Sequence, residues 1–185
     1  MMILAAHNPA WAAEFALLRE VYLDALGPLV LRVEHVGSTA VPNLLAKPIV
    51  DIDIVMPGYE VFPGIVSGLL DLGYTHKGDQ GIAGREAFKE RDSEAPYTWP
   101  RRTWMAHHLY VCPEDGAELR RHLLFRDALR ARADFRHEYE RLKVAIAARS
   151  DGDRSAYARI KEIECRAFVE RVLQEPVAPH RQSVQ

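Results

Sequence analysis

The sequence of 185 residues contains only two cysteines, Cys112 and Cys165, and their separation matches no zinc or redox motif. A structural zinc site is therefore not expected, and both thiols are expected to be reduced. The chain lacks a run of about 18 apolar residues, so it predicts no membrane span. Residues 1–6 lack the basic flank of a secretory signal. These absences predict a cytoplasmic protein.

Several motifs of common enzyme classes are also missing from the sequence. It contains no G-x-x-x-x-G-K-[ST], G-x-G-x-x-G, G-x-S-x-G or H-E-x-x-H. The sequence therefore lacks the central motif of P-loop kinases, dinucleotide dehydrogenases, α/β-hydrolases and zincins.

A strong charge of either sign is absent, since the formal net charge is -2, and general nucleic-acid binding is not expected. The distribution is nevertheless uneven. Residues 1–100 carry 7 basic and 13 acidic side chains, whereas residues 101–185 carry 17 and 13. Most basic residues are arginine, which suits bidentate phosphate recognition. The asymmetry favours an anionic ligand between the halves, although arginines on solvated helices would also explain it.

Apolar periodicity and breaker residues predict alternating helices and strands, which is typical of an α/β fold. Asn8 and Pro9 begin a helix that Gly27 and Pro28 end. The pattern continues with strands at 29–36, 48–56, 85–89 and 105–112, a helix at 62–72, and loops at 75–84 and 92–103. From residue 113 the pattern is helical, in three helices with a break at 150–153.

The most informative stretch joins the first two predicted strands. Gly37, Ser38 and Thr39 form a turn of small and hydroxyl residues, which is the composition of an anion pocket. Asp51 and Asp53 follow two residues apart on the second strand, so both carboxylates share one face. A phosphate cradle beside paired carboxylates predicts a nucleotide bound with a divalent metal, Mg²⁺ or Mn²⁺. The alternative is an ordinary turn followed by a solvated edge strand.

The run EHVGSTAVPNLLAKPIVDIDIVM closely resembles the signature of the GrpB family, which is related to the nucleotidyltransferase superfamily and also occurs fused to dephospho-CoA kinases. The resemblance covers about residues 11–168. Outside this run it is carried by Gly84-Arg85, His107-His108-Leu109, Phe125-Arg126-Asp127, Leu129-Arg130, Tyr139, Leu142-Lys143, Tyr157 and Lys161.

The resemblance implies one nucleotidyltransferase-like domain at 1–175, with a small mixed sheet flanked by helices. Residues 1–112 would form the α/β part and 113–175 a helical extension, followed by a disordered tail at 176–185. It also implies that Tyr139 with Lys143, and Tyr157 with Lys161, form one wall of a ligand cleft. Helix packing alone would explain these pairs nearly as well.

The sequence departs from the superfamily pattern at the third metal-binding carboxylate. The strand at 105–112 carries no acid, and His107 or His108 stands nearest to that position. Adjacent strand residues face opposite sides, so only one histidine can join Asp51 and Asp53. His108 is therefore a candidate third ligand, and imidazole favours Mn²⁺ over Mg²⁺. Either histidine could instead have a purely structural role.

Basic residues complete the predicted phosphate site. Lys47 precedes the second strand, and Arg85, Arg101 and Arg102 lie in or beside the loops. Aromatic residues next to arginines at 92–103 could stack on a base and hold a phosphate. The same loop could simply cover the domain, and Lys47 could be an ordinary surface lysine.

These residues predict a metal-dependent nucleotidyltransferase that acts on an unknown acceptor. Asp51 and Asp53 would hold the metal, and Gly37, Ser38 and Thr39 would cradle the phosphates. The alternative is a non-catalytic module that binds a nucleotide, another phosphorylated small molecule or a protein partner in coenzyme A metabolism.

Overall fold

A five-stranded mixed sheet organises residues 4–175, the part of the chain that the computed structural model describes. The tail predicted at 176–185 lies outside these residues. The strand order is β1-β2-β5-β4-β3, in which β2 and β5 pair in parallel and the other neighbours are antiparallel. The strands are β1 Arg32–Val36, β2 Val50–Met56, β3 Tyr74–His76, β4 Glu86–Glu90 and β5 His107–Pro113.

Six α-helices accompany the sheet in the described residues. Two precede or interrupt the strands, and four follow β5. Asn8 Oδ1 accepts a hydrogen bond from the backbone N–H of Ala10 at 2.9 Å, which satisfies a free donor at the start of the first helix. The helices are α1 Ala10–Leu26, α2 Phe62–Asp71, α3 Ala117–Ala131, α4 Ala133–Arg149, α5 Arg154–Glu164 and α6 Arg166–Gln174.

The main core lies between one face of the sheet and helices α1 and α2. Ile52 and Ile54 of β2 are fully buried in it, together with Leu18 of α1 and Ile65 of α2. Because strand side chains alternate, Asp51 and Asp53 lie on the other face, which α3 partly covers. The period-two pattern of the sequence therefore positions both carboxylates away from the apolar core.

A second core joins the C-terminal helices to the chain between β1 and β2. Val41 and Leu44 are fully buried in a cluster with residues of α3, α4, α5 and α6. Burying a side chain of this size contributes about 1.5–3 kcal/mol. Packing against the helices consequently fixes the connection between β1 and β2, which includes the Ser38 turn.

The predicted mixed fold is confirmed, with two local corrections. Residues 75 and 76, predicted as loop, belong to β3, because pairing with β4 supports an edge strand whose polar residues show no apolar alternation. The predicted third C-terminal helix is divided at Cys165 into α5 and α6. Ile163 of α5 is exposed, whereas Phe168 and Val172 of α6 are buried in the second core.

No helix within residues 4–175 is long and apolar enough to cross a membrane.

Gly37 offers a test of how tightly the β1–β2 connection packs on β2. Its φ is +70°, and a Cβ there would lie 2.0 Å from Oδ2 of Asp51. Gly78 has the same φ of +70° but nothing within 4 Å of its Cβ position. We expect Gly78→Ala to lower the free energy of unfolding by about 1–2 kcal/mol through backbone strain alone. Gly37→Ala should exceed it by at least about 1 kcal/mol, because Asp51 must move. Urea unfolding measures both variants, and equal losses would contradict the close contact.

Candidate functional site

A cleft of about 700 Å³ lies between the sheet and the C-terminal helices. Its sheet side comprises the Ser38 turn, the chain leading into β2 and the first residues of β2 and β5. Its opposite side is the helical wall, which we define as Tyr139, Lys143, Tyr157 and Lys161. The cleft is lined by Ser38, Thr39, Lys47, Ile49, Asp51, His108, Arg121, Tyr139, Lys143, Tyr157, Ala158, Lys161, Glu162, Cys165, Arg166, Val169 and Glu170.

Asp51 lies at the sheet side of the cleft, beside the Gly37 turn. The absence of a side chain at Gly37 allows the Asp51 carboxylate to approach the turn closely. Asp51 pairs in register with His108 across β2 and β5, and its Oδ1 lies 2.8 Å from His108 Nδ1. This hydrogen bond raises the pKa of His108, against the opposing effect of burial. The Asp51 side chain remains 31% exposed, so it is accessible to a ligand.

Asp53 shares the face of Asp51 but is completely buried beneath α3. Its Oδ2 lies 2.7 Å from Nδ1 of His122, and its Oδ1 has no hydrogen-bond partner among the described residues. The second ring nitrogen of His122 lies 3.2 Å from Glu118. With a carboxylate at each nitrogen, the His122 ring is best satisfied as an imidazolium that donates twice. Asp53 therefore does not line the cleft.

The pKa values of this pair follow from burial and mutual contact. Burial lowers the pKa of His122, but its hydrogen bonds with Asp53 and Glu118 outweigh burial and raise it to about 9. Burial raises the pKa of Asp53, and the contact with His122 opposes that rise. The cation of His122 thus offsets the unfavourable burial of the Asp53 carboxylate.

The two histidines of β5 face opposite sides, as their adjacency predicts. His107 lies in the main core, where Nε2 is 2.6 Å from the hydroxyl of Tyr74 and Nδ1 is 2.9 Å from the carbonyl of Met105. His108 lines the cleft beside Asp51. Of the two, His108 is therefore the one placed with the acidic pair.

The predicted metal ligands do not converge. In residues 4–175, no group of three or more His, Cys, Asp or Glu side chains is arranged to hold a metal ion. Asp51 contacts His108, whereas Asp53 contacts His122 on α3. The unpartnered Oδ1 of Asp53 is a potential ligand atom, but the three predicted donors do not share one open position.

The Ser38 turn contributes one accessible hydroxyl. Ser38 is half-buried and lines the cleft, whereas Thr39 is buried. The Thr39 hydroxyl donates to the carbonyl of Ile49 at 3.2 Å and lies 3.0 Å from His35 Nε2. Thr39 consequently fixes the turn, and Ser38 presents its side chain to the cleft.

The helical wall contains both Tyr-x-x-x-Lys pairs that the family resemblance indicates. The Nζ atoms of Lys143 and Lys161 lie 4.7 and 5.8 Å from the centre of the Tyr139 ring. Lys47 reaches across from the sheet side, with Nζ 4.8 Å from the centre of the Tyr157 ring. The side-chain nitrogens of three lysines thus lie against the aromatic rings of the helical wall.

The structure does not bring the three predicted arginines to the cleft. Arg85 lies over the Tyr110 ring at 4.5 Å, near the buried Asp53. Arg101 pairs with Glu94 at 3.2 Å. Arg102 pairs with Glu14 of α1 at 2.8 Å, on the side of the sheet that α1 covers. The aromatic loop at 92–103 therefore covers the main core, which is the alternative that the sequence left open for it.

His122 is the partner of Asp53 that the sequence did not indicate. It follows β5 on α3 in an arginine-rich segment, and its spacing from Asp53 matches no motif. Only the packing of α3 on the sheet brings the two side chains together. The nearest signal is the His122–Glu118 spacing of one helical turn.

Comparison with known proteins identifies the family of this chain. The sequence profile of the GrpB protein family matches residues 1–175. UPF0157 protein YqkA of Bacillus subtilis is 34% identical over 84% of this chain and 43% of its own length. The dephospho-CoA kinase of Mycolicibacterium paratuberculosis is 30% identical over 84% of this chain and 42% of its own length. The chain spans about half the length of these curated relatives.

Solved structures agree with this result. GrpB from Enterococcus faecalis superimposes with a TM-score of 0.75 and 28% identity, over 92% of this chain and 97% of that one. Cid1 poly(U) polymerase, in its MgGTP-bound structure, gives a TM-score of 0.53 at 9% identity, over 79% of this chain and 44% of that one. The second likeness shows a nucleotidyltransferase-like fold. Because the family profile matches residues 1–175, the chain belongs to the GrpB protein family.

Proposed function

We propose that the domain binds a nucleoside triphosphate in the cleft and transfers its nucleotidyl group to an acceptor. The observation that carries this proposal is the placement of Ser38 and Asp51 opposite Lys143 and Lys161 in one cleft. The volume of about 700 Å³ suits a small-molecule ligand. The nucleotidyltransferase-like fold supports the same ligand class.

Different side chains of the cleft would contact different parts of the ligand. Lys47 and Lys161 would neutralise the phosphates, since an ammonium group forms charge-assisted hydrogen bonds with phosphate oxygens. Asp51 is the accessible carboxylate and would contact the reacting end or the acceptor hydroxyl. Asp53 would act only through the electrostatic field, because it is enclosed by α3.

The divalent metal stays a prediction, because the donors do not converge in the described residues. We therefore assign no catalytic step to a metal and derive the proposal from the side chains of the chain. Binding of the triphosphate is therefore to be measured both with and without the metal.

A non-catalytic nucleotide- or partner-binding module is the second candidate. It is favoured by the histidine contact at each carboxylate, which balances the acidic charge without any ligand. The name dephospho-CoA kinase, borne by a relative that extends well beyond the matched region, suggests a link to coenzyme A metabolism. In this function the cleft would hold a nucleotide or a related phosphorylated molecule without transferring it.

Triphosphate affinity tests the proposed binding site. Isothermal titration with ATP, CTP, GTP and UTP, each with and without Mg²⁺ or Mn²⁺, should detect binding of at least one triphosphate. Lys161→Gln should weaken it about tenfold or more, since a charge-assisted hydrogen bond contributes about 1.5–3 kcal/mol. Arg101→Gln, which removes a cation outside the cleft, is the matched control and should retain the affinity. Absence of binding by the folded wild-type protein would overturn the proposal.

Pyrophosphate release separates the two candidate functions. If the domain is a transferase, the wild-type protein should release pyrophosphate from the triphosphate that binds, with water or a supplied hydroxyl compound accepting the nucleotidyl group. Asp51→Asn should lower that rate by about 100-fold or more, because removal of a reacting or positioning carboxylate affects the transition state. A binding module would retain affinity in Asp51→Asn, and its wild type would release no pyrophosphate.

The buried ion pair of Asp53 and His122 predicts a pH dependence of stability. Because the folded-state pKa of His122 is raised to about 9, its stabilising contribution should be complete below about 6.5 and lost as pH rises through 9. NMR titration should find the His122 ring doubly protonated near neutral pH. His35 is an internal contrast, because burial, with Arg130 and Arg126 nearby and Asp51 opposing, lowers its pKa to about 4. A His122 ring that is neutral at pH 7 would refute the ion pair.

A further inference from the structure

Ser38 and Lys143 meet where the sheet side of the cleft touches the helical wall. Lys143 Nζ lies 3.4 Å from Ser38 Oγ, and both residues line the cleft. The ammonium group also contacts the carbonyl of Leu45. A hydroxyl and an amine at this separation in a cleft are the elements of a serine–lysine pair, in which the amine activates the hydroxyl.

Lys143 is in an environment that favours its neutral form. The residue is 1% exposed and forms no salt bridge within the described residues. Burial is the main cause that lowers its pKa to about 7, and the positive charge of Lys161 acts in the same direction. Glu140, on the same helix, and Cys165, from the neighbouring break in the helices, oppose this effect. Near neutral pH, a substantial fraction of Lys143 can therefore present a lone pair.

Ser38 is the hydroxyl that this amine can activate. Its Oγ has no hydrogen-bond partner other than Lys143 among residues 4–175. The neighbouring Thr39 hydroxyl is buried and engaged by Ile49 and His35. Ser38 is also held in place from both sides, by the close Gly37–Asp51 contact and by the burial of Val41. The turn thus fixes one accessible nucleophile against one buried base.

We propose that Ser38 and Lys143 form a catalytic serine–lysine pair, in which Ser38 covalently accepts the nucleotidyl group before it passes to the final acceptor. The inference rests on the proposed function for the identity of the donor, a nucleoside triphosphate. Lys161 and Lys47 lie close enough to the same end of the cleft to neutralise the leaving pyrophosphate.

Each step balances without an additional reactant. Ser38 Oγ attacks the α-phosphorus, the Oγ–P bond forms, and the bond from phosphorus to the bridging α–β oxygen breaks. The hydroxyl proton passes to Lys143 Nζ, and pyrophosphate leaves with the electron pair of the broken bond. In the second step an acceptor hydroxyl attacks the same phosphorus and its proton passes to solvent water. The Ser38 oxygen then departs and recovers the proton that Lys143 holds.

A fluorophosphonate probe tests the pair without relying on any nucleotide. The activated Ser38 oxygen should displace fluoride and form a phosphonyl ester, detected by mass spectrometry of the intact protein and its peptides. The labelling rate should rise with pH through about 7, as Lys143 loses its proton. Ser38→Ala should abolish labelling, and Lys143→Met and Lys143→Arg should each slow it about 100-fold or more.

Controls separate this result from misfolding. Lys143→Met is similar in volume and removes the amine, whereas Lys143→Arg retains a cation that cannot act as a base. Thermal unfolding must show that at least one of them folds. Ser155→Ala, an exposed serine at the start of α5, should label like the wild type. Wild-type protein that stays unlabelled at every pH from 6 to about 9 would overturn the pair.

The second arm uses ATP labelled at the α-phosphate, quenched in acid, together with the titration of triphosphate binding. Covalent label on Ser38 that is lost in Lys143→Arg would support the nucleotidyl-serine step. Bound triphosphate without covalent label would overturn that step while leaving the proposed function intact. Probe labelling in a protein that binds no triphosphate would instead refute the proposed function and with it the nucleotide as donor.

Discussion

The buried attachment of the β1–β2 connection to the helices is the constraint on which the cleft depends. Val41 and Leu44 are fully buried among the C-terminal helices, and Glu140 accepts a hydrogen bond from the Leu45 N–H at 2.9 Å. Lys143 contacts the Leu45 carbonyl and the Ser38 hydroxyl. A loop held by apolar burial and satisfied backbone groups has few alternative conformations. Both sides of the cleft are thereby held in one arrangement before any ligand arrives.

Charge balance on the covered face of the sheet follows from the same packing. Asp51 and Asp53 would repel each other in a poorly solvated setting, and each is relieved by a histidine. The two contacts differ in exposure: His108 contacts Asp51 at the open cleft, whereas His122 is enclosed with Asp53 under α3. One carboxylate therefore remains available for chemistry. The other has become a structural ion pair that holds α3 on the sheet.

The sequence predicted the local part of this arrangement and missed the long-range part. Alternation along β2 was sufficient to place Asp51 and Asp53 on one face, because strand geometry is local. The same pattern could not distinguish an open carboxylate from an enclosed one. That difference depends on His122, 69 residues beyond Asp53. Arg101 appeared suited to phosphate because aromatic residues surround it, yet its loop covers the opposite core.

The likeness in fold to a poly(U) polymerase does not by itself assign a reaction to this cleft. A fold shared at 9% identity does not establish which ligand binds or which reaction follows. In this chain the cleft is lined by Asp51 and His108 on the sheet side and by Lys143 and Lys161 on the helical wall, with Lys47 reaching across from the sheet side. A base adjacent to an activated hydroxyl would make Ser38 part of the reaction, whereas a fully charged Lys143 would make it part of the binding site. In the proposed function, the protonation of one buried amine therefore decides between covalent transfer of the nucleotidyl group and binding of the nucleotide alone.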